Sequence, residues 1–246
     1  VSNVSEPVQA LLAVERRILF NAGLQGIDQL GELHGVLLAF DEVKTGMVVD
    51  WGGATRLFGV TPDIVCLAKA LGGGIPCGAI GGTEEVMAAI EDGRYDQIGT
   101  FNGNPLTMAA ARATLTEVLL PEVYDRATSV GRFMLDGSLS ALREAGIPAY
   151  GTVFGFKGSV VFAANPARSY REFLGISTAI SHLHFLVQHN GGVFLPPWGK
   201  SESWTLSVAH NEDHGARYVR NVARVAELVG GLADSSSDLF AAGSYN

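Results

Sequence analysis

The stretch "VCLAKALGGGIPCGAIGG", residues 65–82, decides how the chain reads. It is nearly all apolar or glycine, and Lys69 is its only charge. Burying an unpaired ammonium is costly, and lysine is rarely found fully buried. The glycine triplet 72–74 follows closely. Two ordinary readings exist for these features: a lone lysine among apolar residues snorkels to solvent, and a glycine triplet makes a tight turn. A chemical reading stands beside them. An apolar setting disfavours the charged form of lysine, and the neutral amine is a nucleophile that forms imines with aldehydes.

Upstream, "HGVLLAFDEV" (34–43) gives a continuous apolar run followed by two acids. It reads as a buried strand of a parallel sheet ending at Asp41. "PDIVCLAKAL" reads as a second short strand and "GAIGG" as a third. "TEEVMAAIEDG" opens a helix at Thr83 with two early acids. In "GTFNGNPLTMAAARATLTEVL" (99–119), Asn104 is an N-cap and Pro105 the first helical residue, so a helix is expected to about Leu120. Pro121 ends it, and a longer amphipathic helix follows to about Ala145. Such alternation of strand and helix is the pattern of α/β chains, which collect ligands beyond the carboxyl ends of their strands. Asp41 and Lys69 both fall at such ends.

Beyond Gly146 the texture changes to a strand pair, a helix over about 176–190, short strands at "GVFLP" and "SWTLSVA", and a last helix from Asn211. The expected organisation is therefore 1–145 as the carboxyl-terminal portion of a large cofactor-binding domain, 146–230 as a small α+β domain, and 231–246 as a loose Ser/Gly-rich tail. The expected fold class is α/β: part of a mainly parallel sheet flanked by helices, plus the smaller α+β domain.

Composition narrows the partners. The 246 residues carry a formal charge of −8 with no cluster of Lys and Arg, which argues against nucleic acid and anionic membrane. No apolar run is long enough to span a bilayer. The two cysteines, Cys66 and Cys77, have no zinc-site spacing and read as core residues of a protein in a reducing, cytoplasmic setting.

The aldehyde cofactor that suits a nucleophilic lysine is pyridoxal 5'-phosphate, an electron sink for carbanions. It requires a lysine to hold it as a Schiff base, a carboxylate to keep its pyridine nitrogen protonated, and donors for its phosphate. Lys69 and Asp41 meet the first two needs. Val43, two residues beyond Asp41 on the same side of an extended segment, can press on the ring. Thr100 Oγ and the amides of "GTFNGNP" suit a phosphate. Equally ordinary readings remain: an Asp-Glu pair after a strand is commonly a turn, and "GNP" is helix punctuation.

Together, "LLAFDEVKTG", "FGVTPDIVCLAKALGGGIPCGAIGG" and "GTFNGNPLTMAAARATL" resemble the class III pyridoxal-phosphate aminotransferases of fold type I, in the glutamate-1-semialdehyde aminomutase-like branch. The resemblance runs from about Glu6 to Leu119 and continues more faintly to "SWTLSVAHNEDH" (203–214). It implies that Lys69 forms the Schiff base, that Asp41 partners the pyridine nitrogen and that Val43 packs on the ring. It also implies that Thr100 reaches the cofactor phosphate of the neighbouring subunit, hence a homodimer with shared active sites. Lys44 occupies a position usually held by Gln or Met in this family, near the ring hydroxyl, and is a rival Schiff-base candidate without the glycine-rich turn. The family has a long N-terminal part before the equivalent of Glu6, so the chain matches only the carboxyl-terminal part. It is expected not to form a stable, active monomer without the rest.

The function expected is a transferase: a pyridoxal-phosphate-dependent aminotransferase moving an amino group between an amine or amino acid and a carbonyl acceptor. The alternatives are a 2,1-aminomutase of the same family, or a truncated non-catalytic paralogue serving as a partner subunit. Substrate selection is expected to draw on Asp50–Thr55 and on "PPWGKSESW" (196–204). Trp51, Trp198 and Trp204 read equally as pocket walls or as core, and His210 equally as an entrance residue or as a neighbour of the final helix.

Overall fold

A computed structural model describes residues 31, 34–196, 200 and 202–231, with the side chains of 202 and 203 excepted. The chain forms two compact units, Val1–Leu120 and Pro121–Asn246.

In the first unit, β1 (Ala39–Asp41) pairs in parallel with β2 (Ile64–Leu67), which pairs antiparallel with β3 (Ala79–Gly82). The described sheet is thus mixed, where the sequence suggests a mainly parallel one. The physical reason lies in the connection 68–78. It holds only the 3₁₀ turn Lys69–Gly72 and no crossover helix, and a parallel return requires a longer crossover. β1 ends at Asp41 as expected, although only Phe40 of the strand is buried. Between β1 and β2 lies the short helix α1 (Gly53–Phe58).

Helix α2 (Glu84–Glu91) begins at Thr83, whose Oγ1 accepts from the Val86 N–H at 3.4 Å. Helix α3 (Pro105–Ala113) begins at Asn104, whose Oδ1 accepts from the Thr107 N–H at 3.0 Å, with Pro105 at its first position. These caps fulfil local rules. The helix does not stay α-helical to Leu120. It widens into a π turn at Thr114–Val118, and this segment together with α3 packs on the 3₁₀ turn carrying Lys69.

The second unit opens with the long helix α4 (Pro121–Glu144). An antiparallel sheet follows in the order β4 (Tyr150–Phe154), β5 (Lys157–Val161), β6 (Glu202–Thr205). Helices α5 (Tyr170–Leu174), α6 (Ala179–Asn190) and α7 (Glu212–Gly230) complete it. α4 packs on α7, β4 and β5, so it belongs with this unit. The compact-unit boundary therefore precedes α4, whereas the change of texture near Gly146 falls after it. "GVFLP" forms no ladder, which suits a segment running into Pro196 and Pro197 that lacks two backbone donors. Leu142, Val160, Ile180, Val222 and Val225 fill the core. The final helix starts at Asn211 with a capping box closed by His214. Of the expected loose tail 231–246, all but Gly231 lies outside the described residues.

Candidate functional site

The parallel pair β1–β2 places two carboxyl ends side by side, with Asp41 in register with Cys66 and Lys69 three residues beyond Cys66. Neighbouring strands lie about 4.8 Å apart, so the two exits share one edge of the sheet. Lys69 is the one non-glycine residue with a positive φ among the described residues, at +51°. The left-handed region costs an L-residue roughly 1–2 kcal/mol. Ala68 before it is extended, and Gly73 and Gly74 after it also have positive φ, at +58° and +108°. A Cβ on Gly73 would lie 2.6 Å from Thr114 Oγ1, so the π turn sits directly against the lysine turn.

The Lys69 side chain is exposed, and among the described residues its amine has no hydrogen-bonding partner. The apolar run around it does not bury the lysine. It builds the strand and turn that present it.

Asp41 is exposed as well. Its Oδ1 accepts from the Val43 N–H at 3.1 Å in a tight turn, which leaves Oδ2 without a partner among the described residues. Val43 is half-buried, and Lys44 is exposed. Thr100 lies exposed in the turn that leads into α3, flanked by the exposed side chains of Ile98 and Phe101. The β1 exit thus gathers Asp41, Val43 and Lys44 beside the strand that leads to Lys69, while Thr100 stands on a separate loop of the same unit.

Glu42, read from the sequence only as half of an acidic pair, proves to be the best-held carboxylate here. It is 3% exposed. The Ala54 N–H donates to both its oxygens, at 2.8 and 2.9 Å, and the Thr55 N–H donates to Oε1 at 3.3 Å. The Thr45 hydroxyl donates to Oε2 at 2.8 Å. The available signal was strand alternation: adjacent residues at a strand end face opposite ways.

A sequence model of the class-III aminotransferases matches residues 5–168. The chain belongs to this family. Glutamate-1-semialdehyde 2,1-aminomutase of Desulfosudis oleivorans is 38% identical over 189 residues, covering 76% of this chain and 44% of that protein. An omega-transaminase from Sphaerobacter thermophilus superposes with a TM-score of 0.74 at 29% identity, over 84% of this chain and 48% of its own. A beta-phenylalanine aminotransferase from Variovorax paradoxus gives 0.74 at 27% identity, over 90% and 50%. The chain spans about half the length of the curated relatives it matches.

Class-III aminotransferases use pyridoxal 5'-phosphate, and a solved transaminase of the same fold holds it bound. The residues present fit that group. At adjacent strand ends stand an amine on a strained turn and a carboxylate oxygen, neither partnered among the described residues, the pair of functions that an aldehyde and a pyridine nitrogen call for.

The remaining sequence candidates separate. Trp51 is exposed on the loop before α1, with the Arg56 guanidinium 5.9 Å from its ring centre and bridged to Asp50 at 2.7 Å. Trp204 is core, 3% exposed, with its ring 5.2 Å from that of Tyr218. Trp198 lies outside the described residues. His210 lines a cavity of about 430 Å³ in the second unit together with Phe194, Leu195, His214 and Arg217. Burial, and then the neighbouring His214, lower its pKa. Cys66 and Cys77 are free thiols, half-buried rather than fully in the core. Among the described residues no helix is long and apolar enough to cross a membrane.

Proposed function

We propose that the chain is part of a pyridoxal-phosphate-dependent aminotransferase that passes an amino group from an amine or amino acid to a carbonyl acceptor. The observation that carries this reading is that the ends of two paired parallel strands lead to a left-handed Lys69 and to Asp41, whose amine and Oδ2 have no partner among the described residues. Bound pyridoxal phosphate supplies an aldehyde carbon and an electron-withdrawing ring that delocalises a carbanion. Lys69 Nζ would hold the cofactor at its aldehyde carbon and would serve as the base for the proton on the substrate carbon that bears the nitrogen. Asp41 Oδ2 would keep a proton on the ring nitrogen, and Val43 would pack on the ring face. Lys44 adds a cation beside Asp41 and Val43.

Thr100 serves the phosphate of a neighbouring subunit, which makes the protein a homodimer with shared sites. The neighbouring Ile98, Phe101 and Leu106, at 84%, 81% and 68% exposure, support a covered surface there. Two free thiols suit the cytoplasm.

A 2,1-aminomutase reading is favoured by the relative 38% identical to this chain that bears that name. The two readings assign the same roles to Lys69 and Asp41 and differ in where the nitrogen goes. A substrate labelled with ¹⁵N separates them: the label appears on a second molecule for an aminotransferase and stays on the same skeleton for an aminomutase. Lys69→Ala is expected to abolish both turnover and the visible absorbance band of the lysine-held cofactor. A variant that keeps both removes Lys69 from the mechanism.

A further inference from the structure

We propose that Glu42 is a positioning residue for Asp41: its buried carboxylate locks the turn after β1 and so fixes the direction in which Asp41 presents its free oxygen. The inference rests on Asp41 being the carboxylate that faces the cofactor.

Four observations carry it. First, Asp41 and Glu42 are consecutive, yet Asp41 is exposed and Glu42 buried, so the chain turns one carboxylate outward and the other inward. Second, the inward carboxylate is held from two directions. Ala54 and Thr55 donate backbone N–H groups from the start of α1, and Thr45 donates its hydroxyl from the turn itself. The Glu42 carbonyl also accepts from the Gly46 N–H at 2.9 Å.

Third, the fold makes room for this carboxylate. Gly53 has φ +63°, and a Cβ there would lie 2.6 Å from Glu42 Oε1 and 2.8 Å from Oε2. Glycine alone satisfies both the backbone and the contact. Fourth, the same turn supplies the Val43 N–H that holds Asp41 Oδ1. Moving the turn therefore moves the group that orients Asp41.

A simple helix cap would explain the bonds to Ala54 and Thr55 alone. It would not explain the Thr45 bond. That bond closes the carboxylate onto the segment beside Asp41 and ties β1, the loop 43–52 and α1 into one rigid piece. Hydrogen bonds to a charged group are among the stronger ones in a protein, and a buried donor left without its acceptor is penalised. Removal of Glu42 leaves the Ala54 and Thr55 N–H groups and the Thr45 hydroxyl without their acceptor, and the turn relaxes to find others.

The test uses the pyridoxal-phosphate-loaded protein with Glu42→Gln, Glu42→Ala and Thr45→Val, and Asp41→Asn as the reference. The readouts are the ¹⁵N resonance of the cofactor ring nitrogen, the pH titration of the cofactor's visible band, kcat and KM separately, and thermal stability. Glu42→Ala is expected to lower kcat on the order of tenfold or more and to move the ring-nitrogen resonance toward the Asp41→Asn value. Glu42→Gln, which keeps one acceptor oxygen for Ala54 and Thr55, is expected to shift both in the same direction by less. Thr45→Val is expected to lie nearest the unaltered protein. If Glu42→Ala does not accumulate folded, Glu42→Gln decides by the same readouts. Variants that lose thermal stability while keeping the ring-nitrogen resonance, the band titration and kcat make Glu42 a structural cap only and overturn the proposal. An Asp41→Asn protein with an unmoved resonance is a different pattern: it removes Asp41 from the ring nitrogen, and the positioning role falls with it.

Discussion

His184 makes the second unit acid-sensitive in a calculable way. Its imidazole has no solvent exposure and lies edge-on to Phe162 at 5.4 Å and to Tyr218 at 5.6 Å. Nε2 stands 3.1 Å from the Gln188 amide nitrogen, which also donates to the Tyr218 carbonyl at 3.0 Å. Nδ1 has no partner among the described residues. Burial pushes the pKa down from 6.5 to about 3, and the donor facing Nε2 favours the same neutral form. The folded-state value lies below the unfolded one, so the unfolded chain takes up the proton first. The stability from keeping His184 neutral is therefore complete above about pH 6.5 and is lost as the pH falls toward about 3.

Between pH 7 and pH 5 that loss is about 2 kcal/mol for this one group, with the folded form binding almost no proton across the interval. His184→Leu removes the titration, and Gln188 keeps its bond to the Tyr218 carbonyl. The variant is expected to lie within about 1.5 kcal/mol of the parent at pH 7. Urea unfolding at several pH values, followed by the fluorescence of buried Trp204, measures both proteins. The parent is expected to lose about 2 kcal/mol more than His184→Leu between pH 7 and pH 5. Parallel losses in the two proteins would mean that His184 titrates in the fold as it does in water, and the burial argument would be wrong.

The turn at Lys69 carries two further expectations. Lys69 adopts φ +51° with no bond to its amine among the described residues, so Lys69→Gly is expected to be more stable than Lys69→Ala by about 1–2 kcal/mol; equal denaturation midpoints would contradict the strained turn. Gly73→Ala adds both a left-handed alanine and a Cβ 2.6 Å from Thr114 Oγ1, and is expected to cost about 2 kcal/mol or more. Adding Thr114→Ala relieves the contact but not the backbone, so the double variant is expected to recover only part of that loss in denaturant titration.

Local chemistry was the legible part of this chain. Asp41 ends β1, Thr83 and Asn104 cap their helices, and Asn211 opens α7, because each rests on one or two neighbouring residues. Decisions made by partners distant in sequence were not. β3 pairs antiparallel because β2 is where the short turn returns it. The π turn at 114–118 lies against the glycines of the lysine turn, and nothing in "TLTEV" alone announces it. The short helix Tyr170–Leu174 lies in a segment without helical periodicity and shows only as Ser169 accepting from the Glu172 N–H. Glu42 was hidden by its neighbour. The Asp-Glu pair looks like one acidic turn, and only the burial of one member and the exposure of the other gives them separate work.

The strain at Lys69 and the clamp at Glu42 bear on the same requirement from opposite sides. Under the proposed function, the Lys69 amine and the Asp41 carboxylate act on one small ring and must keep their directions without binding each other, because a direct ion pair would occupy both. Among the described residues, neither Lys69 nor the second oxygen of Asp41 has a partner. The restraint comes instead from backbone: a left-handed lysine braced by glycines and the Thr114 turn, and an aspartate held by Val43 in a turn that Glu42 closes. Strain of this kind persists only where its surroundings over-determine it. Disturbing either brace is therefore expected to lower catalysis in the protein that remains folded, and disturbing both is expected to lower it by less than the product of the two effects, since each loss already spoils the same alignment. Kinetics of Gly73→Ala, Glu42→Gln and the double variant measure this directly. Fully multiplicative losses would show that the two strand ends act independently.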